Sequence, residues 1–396
     1  MVSKKILEDM KNSSAIRAMF TEGKVLAEKI GAENVYDFSL GNPCTPVPEA
    51  FTRAMLDVIR EEDSLNLHGY MDNSGYPQVR EAVAENLNRR FGTNFGAKNV
   101  IMTVGAAGAI NVILRAVMDP GDELMVFAPY FTEYRNYCGN WGGVLVEVKP
   151  DYETFLPDLA DMERKLTAKT KAIIINNPVN PSGVLYSEDT IRQIAALLER
   201  KQQEYGHAIY MISDEPYREI VYDGKTAPFL TKYYRNTFIT YSFSKSLSIP
   251  GERIGYIVIS DEMEDFETVC AGTAIANRVL GFVNAPSLMQ KAVARCLDEK
   301  TDVEFYDRNR KLLYGELVKL GFTCVKPEGT FYLFVKSPEP DEKHFVEVAK
   351  RHHIMLVNGT NFACPGYVRI AYCVPYEMIQ RSLSAFAELA EEYNLR

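Results

Sequence analysis

At 396 residues the chain exceeds the usual size of one domain, so two domains are expected. A composition of 46% hydrophobic and 24% charged residues suits a globular core, and no apolar run of about 18 residues is present, which argues against a transmembrane helix or a membrane partner. The net charge of −9 argues against nucleic acid as a partner, and seven cysteines without a C-x-x-C pair argue against a disulfide framework or a bound metal.

The odd cysteine count favours a reducing, cytoplasmic setting. The first twenty residues, with Lys4, Lys5, Glu8, Asp9 and Lys11, lack the apolar core of a secretion signal. Ile16, Met19, Phe20, Val25 and Leu26 then mark a helix ending near Gly31, and residues 35–40 an extended piece leading into Gly41-Asn42-Pro43. A second helix is expected to start at Pro77, carry Val79, Val83 and Leu87 on one face, and stop at Gly92.

Short apolar runs next alternate with helical patterns. The candidate strands are residues 100–104, 124–127, 144–148, 172–175, 208–212, 237–241 and 254–259. Ser187 caps a helix with Ile191, Ile194, Leu197 and Leu198 inward, ending at Gly206. Such alternation predicts an α/β fold, with a mostly parallel seven-stranded sheet flanked by helices. After about residue 290 the pattern becomes one long helix through 289–313, isolated strands at 331–335, 354–357 and 368–373, and a terminal helix with Ile379, Leu383, Phe386 and Leu389 on one side. The expected division is an N-terminal arm (1–46), a large α/β domain (47–290) and a smaller α+β domain (291–396) that the arm completes.

Residues 241–255 read Y-S-F-S-K-S-L-S-I-P-G-E-R-I-G. Lys245 lies among Ser242, Ser244, Ser246 and Ser248, and Arg253 follows beside the Pro250-Gly251 turn. A lysine so placed can form a Schiff base with an aldehyde, while serine and arginine can hold a dianionic phosphate. A solvated lysine in a serine-rich loop fits the same residues. The segment resembles the lysine motif of the fold-type I pyridoxal 5′-phosphate (PLP) aminotransferases, the class I/II or aspartate aminotransferase superfamily: S-x-x-K with an arginine downstream. Seven strands is also that family's number for its large domain.

Other segments resemble that family's motifs in the same order, from about residue 30 to 390. The resemblance implies that Lys245 holds PLP and, once released, serves as general base. It implies that Asp214, at the end of an apolar run, keeps the pyridine nitrogen protonated. Tyr217 and Asn180, the latter within Asn177-Pro178-Val179-Asn180-Pro181-Ser182-Gly183, would donate to the ring's phenolate oxygen. Backbone amides of Gly105, Ala106 and Ala107, with Ser242, Ser244 and Arg253, would hold the phosphate. Phe131, in Pro129-Tyr130-Phe131-Thr132-Glu133-Tyr134, would stack on the ring. Tyr70 would reach the phosphate of a neighbouring subunit, implying a homodimer, and Arg369 with Gly41 would take the substrate α-carboxylate.

Taken singly, these residues have plainer readings: a turn cap for Asp214, a glycine turn at 105–109, core packing for Phe131, a surface tyrosine at 70, a structural salt bridge for Arg369. Their order across the chain favours PLP-dependent transamination between an L-amino acid and a 2-oxo acid by a ping-pong cycle. Aspartate or an aromatic amino acid with 2-oxoglutarate is the expected pairing; Phe131 stands where aspartate-specific relatives usually have tryptophan. Ala106 and Ala107 offer no side chain to an acidic substrate. Arg17 is a candidate for reading a distal carboxylate, against the alternative of a solvated helix arginine. A PLP-dependent β-lyase on the same fold is the nearest rival. A non-catalytic PLP-binding regulator would carry a DNA-binding segment, for which the residues before Val35 are too few. A nucleotide-binding oxidoreductase fails for want of G-x-G-x-x-G after a strand.

Overall fold

In the computed structural model the backbone is described for residues 2–11 and 15–395, and the side chains for 2–7 and 19–395. A two-residue strand, β1 (Tyr36–Asp37), precedes the main sheet. That sheet is built from β2 (Val100–Thr103), β3 (Glu123–Phe127), β4 (Val144–Val148), β5 (Thr170–Asn176), β6 (Tyr210–Asp214), β7 (Thr237–Ser242) and β8 (Gly255–Ile259). Its order is β2-β8-β7-β6-β5-β3-β4, and β8 alone runs antiparallel to its neighbours. All seven strands fall within a few residues of the sequence expectation.

The central strands are apolar throughout because both faces are covered. Alternate residues of β5 feed different cores: Ile173 and Ile175 join one cluster, Ala172 and Ile174 the other. The helix Glu188–Tyr205 seals the first face with Ile191, Ile194, Leu197 and Leu198. Ser187 caps it by accepting from the Thr190 amide at 3.1 Å, and Gly206 ends it at a left-handed φ of 73°. The helix Gly105–Val117 seals the second face with Ile110, Val112 and Ile113.

A separate core forms around β9 (Tyr332–Lys336), β10 (Ile354–Met355), β11 (Val357–Asn358) and β12 (Tyr367–Ala371). Here β11-β12-β9 make an antiparallel sheet, and β1 pairs in parallel with β10. Met19, Val35 and Phe38 from the N-terminal arm pack in this core with Ile379, Phe386 and Leu389 of the helix Tyr376–Glu392.

Two expectations need correction. The stretch 354–357 is two short strands with different partners, β1 for β10 and β12 for β11. The long helix through 289–313 is two helices, Ser287–Ala294 and Val303–Lys319. The first buries Met289, Ala292 and Val293 in the core of the large sheet, the second Tyr306, Leu313 and Leu317 in the other core. The chain breaks where it changes cores, and Asp302 restarts it by accepting from the Phe305 amide at 2.9 Å.

Gly255 in β8 has no room for a side chain: a Cβ there would lie 2.2 Å from the Tyr241 carbonyl oxygen and 3.0 Å from Gly105 Cα. Gly255→Ala is therefore expected to lower unfolding free energy by about 1–3 kcal/mol in denaturant titrations.

Candidate active site

The parallel strands end at one edge of the sheet, where α/β proteins bind ligands. The ends of β2, β3, β5, β6 and β7 and the segments that follow them deliver Ala106, Phe131, Asn180, Asp214 and Lys245 to one cavity of about 270 Å³ there. Gly41, Ala107, Tyr217, Ser242, Ser244, Arg253 and Arg369 also line it.

Lys245 follows β7 on a short helix, Phe243–Ser246, whose cap is Ser242. Its Nζ donates to the Gly41 carbonyl at 2.7 Å. Desolvation pulls its pKa down to about 8; Cys373 opposes this and the positive charges of Arg369 and Arg253 add to it. Such an amine has a neutral fraction near physiological pH, which both a nucleophile and a base require.

Arg253 adopts a left-handed φ of 50° and donates to the Pro250 carbonyl at 2.9 Å. Gly105, at φ 79°, opens the helix Gly105–Val117, and a Cβ on it would come within 3.0 Å of Arg253 Nη2. Ser242 Oγ accepts from the Ser244 amide at 3.2 Å and donates to Ser244 Oγ at 2.8 Å. A guanidinium, two hydroxyls and a helix N-terminus thus converge, and no acid lies within 4 Å of Arg253 among the described residues.

Asp214 and Glu215 are adjacent buried carboxyls with opposite arrangements. Glu215 pairs with buried Arg218. Asp214 has no cation within 4 Å among the described residues; it accepts from the Tyr134 hydroxyl at 2.5 Å and from Thr240 Oγ1 at 3.1 Å. Burial pushes its pKa up to about 6, against those two hydrogen bonds. Asn176 ties the ends of β5 and β6 together, donating to the Asp214 carbonyl at 2.9 Å and accepting from the Asn180 amide at 2.7 Å.

Among the described residues three arginines are buried: 218, 310 and 369. Arg310 pairs with Asp223 and Asp307, as Arg218 does with Glu215. Arg369, on β12, has no acid within 4 Å among the described residues, so the salt-bridge alternative is absent. It donates to the Ser39 carbonyl at 2.6 Å and to Asn180 Oδ1 at 3.3 Å, while its Nε is buried without a partner. Tyr332 and Phe362 flank the guanidinium, with ring centroids 4.4 and 4.8 Å away. An uncompensated buried guanidinium invites a carboxylate.

Tyr217 shares a hydrogen bond of 3.0 Å with the Tyr332 hydroxyl. Tyr332 carries no motif legible in the sequence, yet it lines the cavity, flanks Arg369 and fixes Gly41, where a Cβ would meet its hydroxyl oxygen at 1.8 Å. Phe131 meets Tyr134 edge-on, 5.7 Å between centroids. Tyr70 stands apart from the cavity and is 95% exposed. The side chain of Arg17 lies outside the described residues.

Residues 33–386 match the family model of aminotransferase class I and II. The chain belongs to this family. It is 31% identical to the aspartate/prephenate aminotransferase of Thermus thermophilus, over 81% of this chain and 83% of the relative. It is 29% identical to aromatic-amino-acid aminotransferase 2 of Thermococcus litoralis, over 98% of both. A solved aminotransferase from Eubacterium rectale superimposes with a TM-score of 0.97 at 46% identity, over the whole of both chains. The protein is a PLP-dependent aminotransferase that exchanges an amino group between an amino acid and a 2-oxo acid. The cavity fits such a cofactor, since its buried carboxyl lacks a cation and its arginine-hydroxyl cluster lacks an anion.

Because Asp214 is raised from an ordinary 3.8 to about 6, its contribution to stability is full below pH 4 and is lost as pH rises through 6. Cofactor-free protein is expected to lose about 3 kcal/mol between pH 4 and pH 7 relative to Asp214→Asn, measured by denaturant unfolding at each pH.

Proposed function

We propose that Lys245 holds PLP in this cavity and that the donor is aspartate or an aromatic amino acid, with 2-oxoglutarate as acceptor. The similarity to an aspartate/prephenate aminotransferase and to an aromatic-amino-acid aminotransferase supports these two donor classes. What carries the reading is one cavity that joins a lysine of lowered pKa, a buried carboxyl without a cation and a buried arginine without an acid.

When bound, the cofactor supplies a conjugated ring that draws electrons from the substrate's α-carbon. Asp214 would keep the ring nitrogen protonated. Tyr217 and Asn180 would donate to the ring oxygen, and Phe131 would cover one ring face. Gly105, Ala106 and Ala107 amides, with Ser242, Ser244 and Arg253, would bind the phosphate. Arg369 would grip the α-carboxylate with its free Nε and an Nη, Gly41 supporting from the chain, so that the Cα–H bond faces Lys245. Lys245, near half-neutral at pH 8, would then take the α-proton.

The same proposal includes a homodimer in the cytoplasm. Leu56, Ile59, Leu65 and Tyr70 are each exposed, and a second copy would cover them and bring Tyr70 to its phosphate site. Seven free thiols accord with a reducing compartment. The chain would divide into an arm (1–46), a large domain (47–290) and a small domain (291–396), with the helix Ser287–Ala294 that crosses the second boundary packed in the core of the large sheet.

The first test is an absorbance spectrum of purified protein, with and without a panel of amino acids. A cofactor band near the visible edge that Lys245→Ala abolishes supports the assignment. One equivalent of 2-oxo acid released from one donor, with no acceptor present, identifies the substrate. Pyruvate with ammonia would instead mean β-elimination. For the carboxylate site, Arg369→Lys is expected to lower kcat/KM a hundredfold or more, since it removes charge-assisted hydrogen bonds worth about 3 kcal/mol.

A further inference from the structure

Tyr134 is fully buried on the helix Glu133–Gly139, and its hydroxyl donates to Asp214 Oδ2 at 2.5 Å. We propose that Tyr134 is a positioning residue for the cofactor's ring nitrogen: it aims the Asp214 carboxylate and keeps it ionised, so that it can hold the nitrogen's proton. This rests on the assignment of Asp214 to PLP made above.

Asp214 sits where ionisation is expensive. The titratable groups around it are Tyr134 and Tyr137 on the helix after β3, Tyr217 three residues on, and Glu215 beside it. None is a cation, and Glu215, already paired with Arg218, opposes the charge. Lys245 lines the same cavity, but its Nζ donates to the Gly41 carbonyl and lies more than 4 Å from the Asp214 carboxylate. The ionised form therefore leans on two neutral donors, Tyr134 at Oδ2 and Thr240 at Oδ1, and the tyrosine's bond is the shorter by 0.6 Å (2.5 against 3.1 Å).

Tyr134 is suited to this task because it stays a donor. Burial first, and then the charge of Asp214, raise its own pKa well above the ordinary tyrosine range, so the proton remains on the phenol. Its ring is braced edge-on by Phe131 at 5.7 Å and by the nearly parallel ring of Tyr130 at 6.3 Å, which fixes the direction of the hydroxyl. A hydrogen bond to a carboxylate favours its charged form, so losing the bond raises the carboxyl's pKa. PLP enters with its ring nitrogen protonated, so its affinity falls once the pH drops below the pKa of Asp214.

The test is PLP affinity of cofactor-free protein, measured by fluorescence titration from pH 5 to 9, for the wild type, Tyr134→Phe, Asp214→Asn and the double variant. In the wild type the acid edge of affinity is expected near pH 6. Tyr134→Phe is expected to move that edge up by about 1 to 2 pH units, with affinity at high pH little changed. In the Asp214→Asn background the same substitution is expected to change nothing, because the group it acts through is gone. An unmoved edge, or a loss of affinity equal at every pH, would overturn the proposal in favour of a packing role. If Tyr134→Phe alone does not fold, recovery of folding in the double variant supports the proposal, and failure of both overturns it. A wild type that binds no PLP would overturn the cofactor assignment itself, which is a separate result.

Discussion

A charge buried without its opposite is unstable unless something arriving later supplies it, and the site is arranged around that imbalance. Among the described residues, other buried charges meet opposite ones, Arg218 with Glu215, Arg310 with Asp223 and Asp307, Asp161 with Arg164 and Lys165, while Glu342 is satisfied by hydrogen bonds from Thr360 and the Gly366 amide. Asp214 and Arg369 are left open, and both face the cavity that holds Lys245. Binding of a protonated ring, a phosphate and a carboxylate would close each account in turn. The free protein bears the cost, which shows as the displaced pKa values of Asp214 and Lys245.

Holding these groups apart from partners requires rigid support, and it comes from both cores. Asp214 ends β6 of the large sheet, Lys245 lies on the short helix after β7, and Arg369 sits on β12 of the smaller sheet. The segment 39–41 joins them, with the Ser39 carbonyl accepting from Arg369 and the Gly41 carbonyl from Lys245. Nearby, Thr45 shares hydrogen bonds with Ser248 at 2.7 Å, Thr301 at 2.7 Å and Tyr306 at 3.1 Å. Those four hydroxyls link the arm, the lysine loop and the chain's crossing between cores. The site's geometry therefore depends on how the two cores are joined as much as on either one.

The tyrosines show how one residue type serves different ends. Tyr134 donates to a carboxylate, while Tyr217 and Tyr332 share one hydrogen bond and both line the cavity. Tyr332 also presents its ring to the Arg369 guanidinium. An aromatic face stabilises a cation without neutralising it, so the arginine remains available to an incoming acid.

The sequence by itself determined the sheet, because strands covered on both faces are unbroken apolar runs and their ends are marked by Gly, Pro, Asn and Ser. It also determined which residues gather: of the proposed site side chains, Asp214, Lys245, Arg253, Asn180, Tyr217, Phe131 and Arg369 all reach one cavity. Each lies in a local motif whose spacing survives in the chain. What the tertiary structure alone decided is which charges stay unpaired. Arg218 has Glu215 three residues before it and pairs with it, whereas Arg369 lies in the apolar Tyr367–Ala371 strand, and only the fold shows that no acid from elsewhere among the described residues reaches it. The break between Ser287–Ala294 and Val303–Lys319 was hidden for the same reason, since no proline or glycine marks it and the chain turns only to enter a second core. Tyr332 and the hydroxyl of Tyr134 acquire their roles from partners 115 and 80 residues away, and periodicity carries no record of a contact at that separation.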